Sequence, residues 1–138
     1  MTRRYDHIDL RVKNLARARE FYGQILPALG FKIERSDAEG GTFYADNASG
    51  PADFFGFIED PAHRPNGTRI AFWAETRDEL DRFADVVMAA GGLNLEGPAE
   101  CPEYTPGYYA LFFEDPDGNK LEICCRKGVI PAEPNSSQ

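Results

Sequence analysis

Histidine is scarce in this chain. It occurs twice in 138 residues, alongside three cysteines, two methionines and one tryptophan. So few thiols and imidazoles, with no Cys-x-x-Cys pair, exclude a zinc ribbon or a disulfide framework; the adjacent Cys124 and Cys125 read as reduced thiols in a strand. Positive charge is also in deficit, with 15 Lys and Arg against 23 Asp and Glu and a net charge of −8. Without a basic run, that field repels nucleic acid. No apolar run nears the length of a membrane span, and the opening "MTRRYDHIDL" has no signal-peptide stretch. The expectation is a cytoplasmic protein with no membrane or nucleic-acid partner.

The remaining composition is that of a globular domain, 42% hydrophobic and 28% charged, in a chain long enough for one buried core. In "YDHIDLRV", Ile8, Leu10 and Val12 alternate with His7, Asp9 and Arg11, as in a strand with one buried face. On that pattern alone, His7 is either a hydrogen-bonded surface residue or a group lining a site.

Two segments have helical spacing. "NLARAREFYGQILPALG" places Leu15, Ala18, Phe21, Tyr22, Ile25 and Leu29 on one stripe, with Asn14 as N-cap, Gly30 as stop and Pro27 distorting or ending the last turn. "TRDELDRFADVVMAAGG" has a Thr76–Glu79 capping box, a stripe of Leu80, Phe83, Val87 and Met88, and a Gly91-Gly92 end. A strand precedes each helix, the second being "TRIAFWAE". Strand-rich sequence follows each: "GFKIERS", "GTFYAD" and "DFFGFIED", then "LNLEG", "YYALFFED" and "NKLEICCR". Gly40-Gly41 and "DPDGN" are hairpin signals, and "DPAHRPNG" is a linker in which His63 reads as solvated. The order is β-α-β-β-β, twice, over 5–59 and 68–127; residues 1–127 form one domain and 128–138 a loose tail.

The halves are related by a shift of 62 positions, which carries His7 to Arg69, Ile8 to Ile70, Leu10 to Phe72, Phe21 to Phe83, Ile25 to Val87 and Gly30 to Gly92. Core positions match in kind along a whole strand and helix, so the chain is a duplicated module.

With this pairing, the opening "HIDLRV" and the closing "YYALFFEDPDGNKLEI", the chain resembles the vicinal oxygen chelate superfamily, which includes glyoxalase I, bleomycin-resistance proteins, extradiol dioxygenases and fosfomycin-resistance enzymes. The resemblance implies an α+β fold in which two tandem βαβββ modules form a curled, cup-shaped mixed sheet with helices on the convex face. It also implies a site in the concavity and a homodimer. Metal-dependent members take two histidines and a glutamate, which fall here on His7, Arg69 and Glu122. Alternation turns Lys120, Glu122 and Cys124 toward the cup and Leu121 and Ile123 toward the helices.

Arg69 has no lone pair and adds a positive charge, so it cannot replace a histidine ligand. The glyoxalase pattern also wants an acid in "DFFGFIED", where Phe55 or a neighbour stands and Glu59 lies at the end. The metal site therefore reads as degenerate and the expected cofactor is none, with iron, manganese, nickel or zinc on His7 and Glu122 as the alternative. Arg69 either pairs with Glu122 or Asp9 or grips a ligand's anionic oxygen group. Asp9, Phe55 (or Phe57), Trp73, Tyr108 and Phe112 complete the candidate pocket for a small anionic or oxygen-rich molecule. Three functions stay open: a binding protein; a metal-dependent lyase, isomerase or dioxygenase using His7 and Glu122; and a metal-free enzyme with His7 or Glu122 as general base.

Overall fold

The computed structural model describes residues 3–46 and 50–127. The elements run β1 (His7–Val12), α1 (Leu15–Ala28), β2 (Ile33–Ser36), β3 (Gly40–Tyr44), β4 (Phe54–Glu59), β5 (Arg69–Trp73), α2 (Arg77–Ala90), β6 (Leu93–Glu100), β7 (Tyr109–Glu114) and β8 (Lys120–Cys125). This is the tandem βαβββ arrangement of an α+β fold. The strands form two open four-stranded mixed sheets, in orders β1-β4-β3-β2 and β5-β8-β7-β6. In each, the first strand pairs parallel with the last, which the intervening helix makes possible by crossing over the sheet. The tail segment 128–138 lies outside the described residues.

Local chemistry sets the helix ends. The Asn14 side chain accepts from the Arg17 amide at 3.0 Å, and Thr76 Oγ1 from the Glu79 amide at the same distance. Glu79 reaches back to the Glu75 amide at 2.9 Å. Gly91, at φ 95°, closes α2 in the left-handed conformation that glycine takes without strain. Pro27 is carried inside the last turn of α1, which ends one residue later.

One apolar core lies between the helices and one face of each sheet, with Tyr22, Phe55, Phe57, Leu111 and Ile123 among its buried members. The α2 stripe differs from the expected one: Met88 is 67% exposed, and Ala84 is buried beside Leu80 and Val87. Helical spacing allows either Ala84 or Met88 to join Leu80 and Val87, and the helix's rotation on the sheet selects the alanine. Gly40 and Gly41 differ as well, since they begin β3 while Asp37 makes the turn by accepting from the amides of Glu39 and Gly40. Glycine is needed at 40 because a Cβ there would stand 2.0 Å from the Phe57 carbonyl oxygen.

The DPDGN turn of module two fastens the modules together. Asp115, 1% exposed, accepts from the Tyr22 hydroxyl at 2.6 Å, from Asn119 Nδ2 at 2.8 Å, and from the amides of Asp117 and Asn119 at 2.9 Å. Asn119 also donates to the Arg11 carbonyl, and Asp117 accepts from the Lys13 amide just before α1. His63 is part of this fastening and not a solvated loop residue, its Nε2 lying 2.7 Å from Asn119 Oδ1. Four donors on one buried carboxylate leave little of its burial cost unmet.

Candidate functional site

The face of each sheet away from the helices carries the candidate residues other than Phe55. In module two, Ala71 lies opposite Glu122 and Glu122 opposite Phe112, while Trp73 lies opposite Cys124 and Cys124 opposite Ala110. Arg69 begins the row. Its Nη1 donates to the Leu121 carbonyl at 2.8 Å, and the guanidinium carbon sits 5.0 Å from the centre of the Phe112 ring. Neither carboxylate considered for it is its partner. Asp9 pairs with Arg11 at 3.1 Å, and Glu122 accepts from the Tyr108 hydroxyl at 2.5 Å. One of the five guanidinium N–H donors is thus used on a carbonyl, and Arg69 forms no ion pair among the described residues, although Glu96 and Glu114 border the same hollow.

Glu122 is only 6% exposed because the segment between β6 and β7 folds back over it. The Tyr104 ring lies 5.2 Å from that of Tyr108 and 6.3 Å from that of Phe112, and Cys101, Ala110 and Cys124 pack beneath. Burial, and then the bond to Glu122, push the Tyr108 hydroxyl far above the ordinary tyrosine range, so it acts here as a donor. Burial likewise raises the Cys101 and Cys124 thiols, which keeps them protonated and poor nucleophiles.

In module one, His7 lies flat on Phe54, with ring centroids 4.4 Å apart and planes 4° from parallel. Its Nδ1 is 2.7 Å from Asp6 Oδ2. A carboxylate there favours the proton on Nδ1 and leaves Nε2 as the acceptor. Asp6 escaped the sequence reading although it adjoins His7, because the residue before a strand has no assigned face. Phe54, not Phe55, shares the face of His7. Phe55 is 1% exposed and packs in the core, 5.4 Å from the Tyr22 ring and 5.6 Å from that of Phe72.

Register gives the module-one counterpart of Glu122. Asp9 lies opposite Gly56 in the first sheet as Ala71 lies opposite Glu122 in the second, so glycine stands where the repeat would put a second carboxylate. Arginine at 69, glycine at 56 and a glutamate already bonded to Tyr108 do not fit a divalent ion, which needs several free lone pairs. Among the described residues, no three His, Cys, Asp or Glu are grouped to hold a metal.

The candidates fall into separate groups. His7 and Trp73 line one cleft of about 700 Å³ between the modules, with Phe55 reaching it from the core side. His7 and Asp9 border a second hollow of about 300 Å³ with Gly56 and Thr42. Arg69 and Phe112 border a third, of about 140 Å³, with Lys120, Asn94 and the carboxylates Glu96 and Glu114.

The family model described as Glyoxalase/Bleomycin resistance protein/Dioxygenase superfamily matches residues 4–123. The chain belongs to this superfamily. Among relatives of this superfamily member, the uncharacterized protein YqjT of Bacillus subtilis (strain 168) is 30% identical over 126 residues, covering 85% of this chain and 94% of its own. A glyoxalase/bleomycin resistance protein from Albidiferax ferrireducens T118 superposes with a TM-score of 0.71 at 26% identity, over 89% of this chain and 98% of its own. The fosfomycin resistance protein FosX from Mesorhizobium loti shares the fold, with a TM-score of 0.65 at 16% identity over 92% of this chain and 95% of its own. No helix among the superfamily member's described residues is long and apolar enough to cross a membrane.

Proposed function

We propose that this superfamily member binds a small organic anion on the open face of module two. The anionic oxygen group lies at Arg69 and the apolar body against Phe112, and the metal site is degenerate. The observation that carries the reading is the state of Arg69, oriented by the Leu121 carbonyl and the Phe112 ring yet paired with no carboxylate among the described residues. A cation already held in place loses little freedom on gripping an oxyanion, and the ring beside it supplies apolar contact. The overall charge of −8 gives no long-range attraction, so recognition rests on this local contact.

Each four-stranded sheet ends in edge strands that pair with no further strand among the described residues, which supports a homodimer. The Asp6–His7 pair supports a second reading, in which His7 Nε2 serves as general base toward the bound molecule without a metal.

Calorimetry with a panel of small aryl and alkyl carboxylates and phosphonates tests the first reading. Arg69→Met is expected to weaken a binder by on the order of 2–5 kcal/mol while leaving the melting temperature nearly unchanged. Unchanged affinity would sink the proposal. Sedimentation of the same samples as a monomer at micromolar concentration would remove the dimer, and absence of turnover differences between wild type and His7→Ala would remove the base.

A further inference from the structure

The cleft between the modules takes Ala71 and Trp73 from the strand face that Arg69 begins, but neither Arg69 nor Phe112 borders it. Its volume of about 700 Å³ falls within the range of roughly 300–1,000 Å³ in which proteins hold small organic molecules. One wall is the His7–Phe54 stack, and another is Trp73, which is 48% exposed on an edge strand. Leu29, Phe31 and Phe83 supply apolar surface between them. Aromatic side chains from both modules thus border one opening, which suits a ligand with a flat ring.

The rim charges are unevenly satisfied. Arg3 is met by the Pro51 carbonyl, Asp53 and Asp6, and Glu79 is used on the Glu75 amide. Arg4 and Lys32, both from module one, make no ion pair among the described residues, and Glu75 of module two lines the same cleft. A ligand with one acidic group therefore meets cations and aromatic surface in one cleft.

We infer that this cleft is a second binding site, for a flat apolar anion whose ring lies among Trp73, Phe54 and Phe83 and whose acidic group lies at Arg4 and Lys32. It is independent of the Arg69 site. Trp73 is the only tryptophan, so its fluorescence reports on this cleft alone.

The test is titration of the full chain with 8-anilinonaphthalene-1-sulfonate, an aryl sulfonate. The expected result is saturable one-to-one quenching of Trp73 with energy transfer to the dye. Binding should weaken about tenfold or more in the double variant Arg4→Glu, Lys32→Glu, and in Ala71→Phe, which fills the cleft from β5. N-phenyl-1-naphthylamine, the same rings without the sulfonate, should bind correspondingly less. Arg69→Met should leave the titration unchanged, which keeps this result separate from the fate of the Arg69 proposal. Dye binding without Trp73 quenching, or binding indifferent to both charge reversal and Ala71→Phe, would overturn the inference. So would dye displacement as protein concentration rises, which would assign the cleft to a second copy.

Discussion

Where module two carries Glu122, module one carries Gly56, and their neighbours differ too: Asp9 stands at the place of Ala71, Thr42 at that of Phe112, and His7 at that of Arg69. The helix-facing sides of the same strands have kept their character. Leu10 opposite Phe57 in the first sheet becomes Phe72 opposite Ile123 in the second, one aliphatic and one aromatic residue with their strands exchanged. A packed core accepts such trades because they conserve volume, whereas an open face is held only by what it binds. Divergence between the copies is therefore concentrated where ligands would meet them.

The comparison breaks most completely if the copies come apart, and Asp115 is the place to try. Among the described residues no carboxylate of module one has a corresponding role, since Asp115 joins its own turn to Tyr22 of the other module. Asp115→Ala should cost about 3–4 kcal/mol, because several buried donors lose their acceptor at once. Tyr22→Phe removes a single bond and should cost about 1–2 kcal/mol. Urea unfolding measures both, and equal losses for the two variants would show that the fastening rests on Tyr22 alone.

Much of this was legible in the sequence. The 62-residue shift holds in the structure for whole elements, with α1 and α2 at 15–28 and 77–90. The facing of Glu122 also follows from alternation, because Leu121 and Ile123 enter the core on either side of it. Alternation failed in "DFFGFIED", where phenylalanines at 54, 55 and 57 put apolar rings on both faces and left no polar residue to mark the outward one. There the face is set by tertiary partners, Tyr22 for Phe55 and Phe57, and His7 for Phe54. The Asp115 network was equally hidden, since its partners lie 93 positions apart for Tyr22 and 56 for the His63–Asn119 contact. The "DPDGN" motif announces a turn, and nothing local announces that this turn also clamps a second module.

A smaller effect sharpens the contrast from the module-two side. Tyr108→Phe removes the hydroxyl that serves the buried Glu122 and should cost about 1–3 kcal/mol at neutral pH. Its pH dependence has a definite sign. Tyr22 and Tyr108 are both raised in the folded state, so unfolded chains lose these protons near pH ~10 while the folded chain keeps them. The folded state then holds more protons, and stability present below that range falls as pH rises through it. The raised Cys101 and Cys124 thiols act in the same direction from about pH 8.5. Melting temperature measured from neutral to strongly alkaline pH should therefore decline, and less steeply in Tyr108→Phe. An identical slope in the variant would mean that Tyr108 does not share in the effect.

The smallest expected change lies at the other member of the pair. A Cβ on Gly56 would meet the Gly41 carbonyl oxygen at 3.5 Å and Thr42 Oγ1 at 3.6 Å, ordinary contact distances, whereas one on Gly40 would overlap the Phe57 carbonyl. Packing within the chain thus demands glycine at 40 and not at 56. A glycine inside a strand weakens it by leaving the unfolded chain more freedom, and it often marks a close approach from outside. Gly56→Ala should accordingly raise stability by about 0.4–1 kcal/mol, while Gly40→Ala lowers it. Chemical denaturation of the two variants side by side gives the answer. A Gly56→Ala protein less stable than the parent would mean that module one's open face is already close-packed at the place where module two holds its carboxylate.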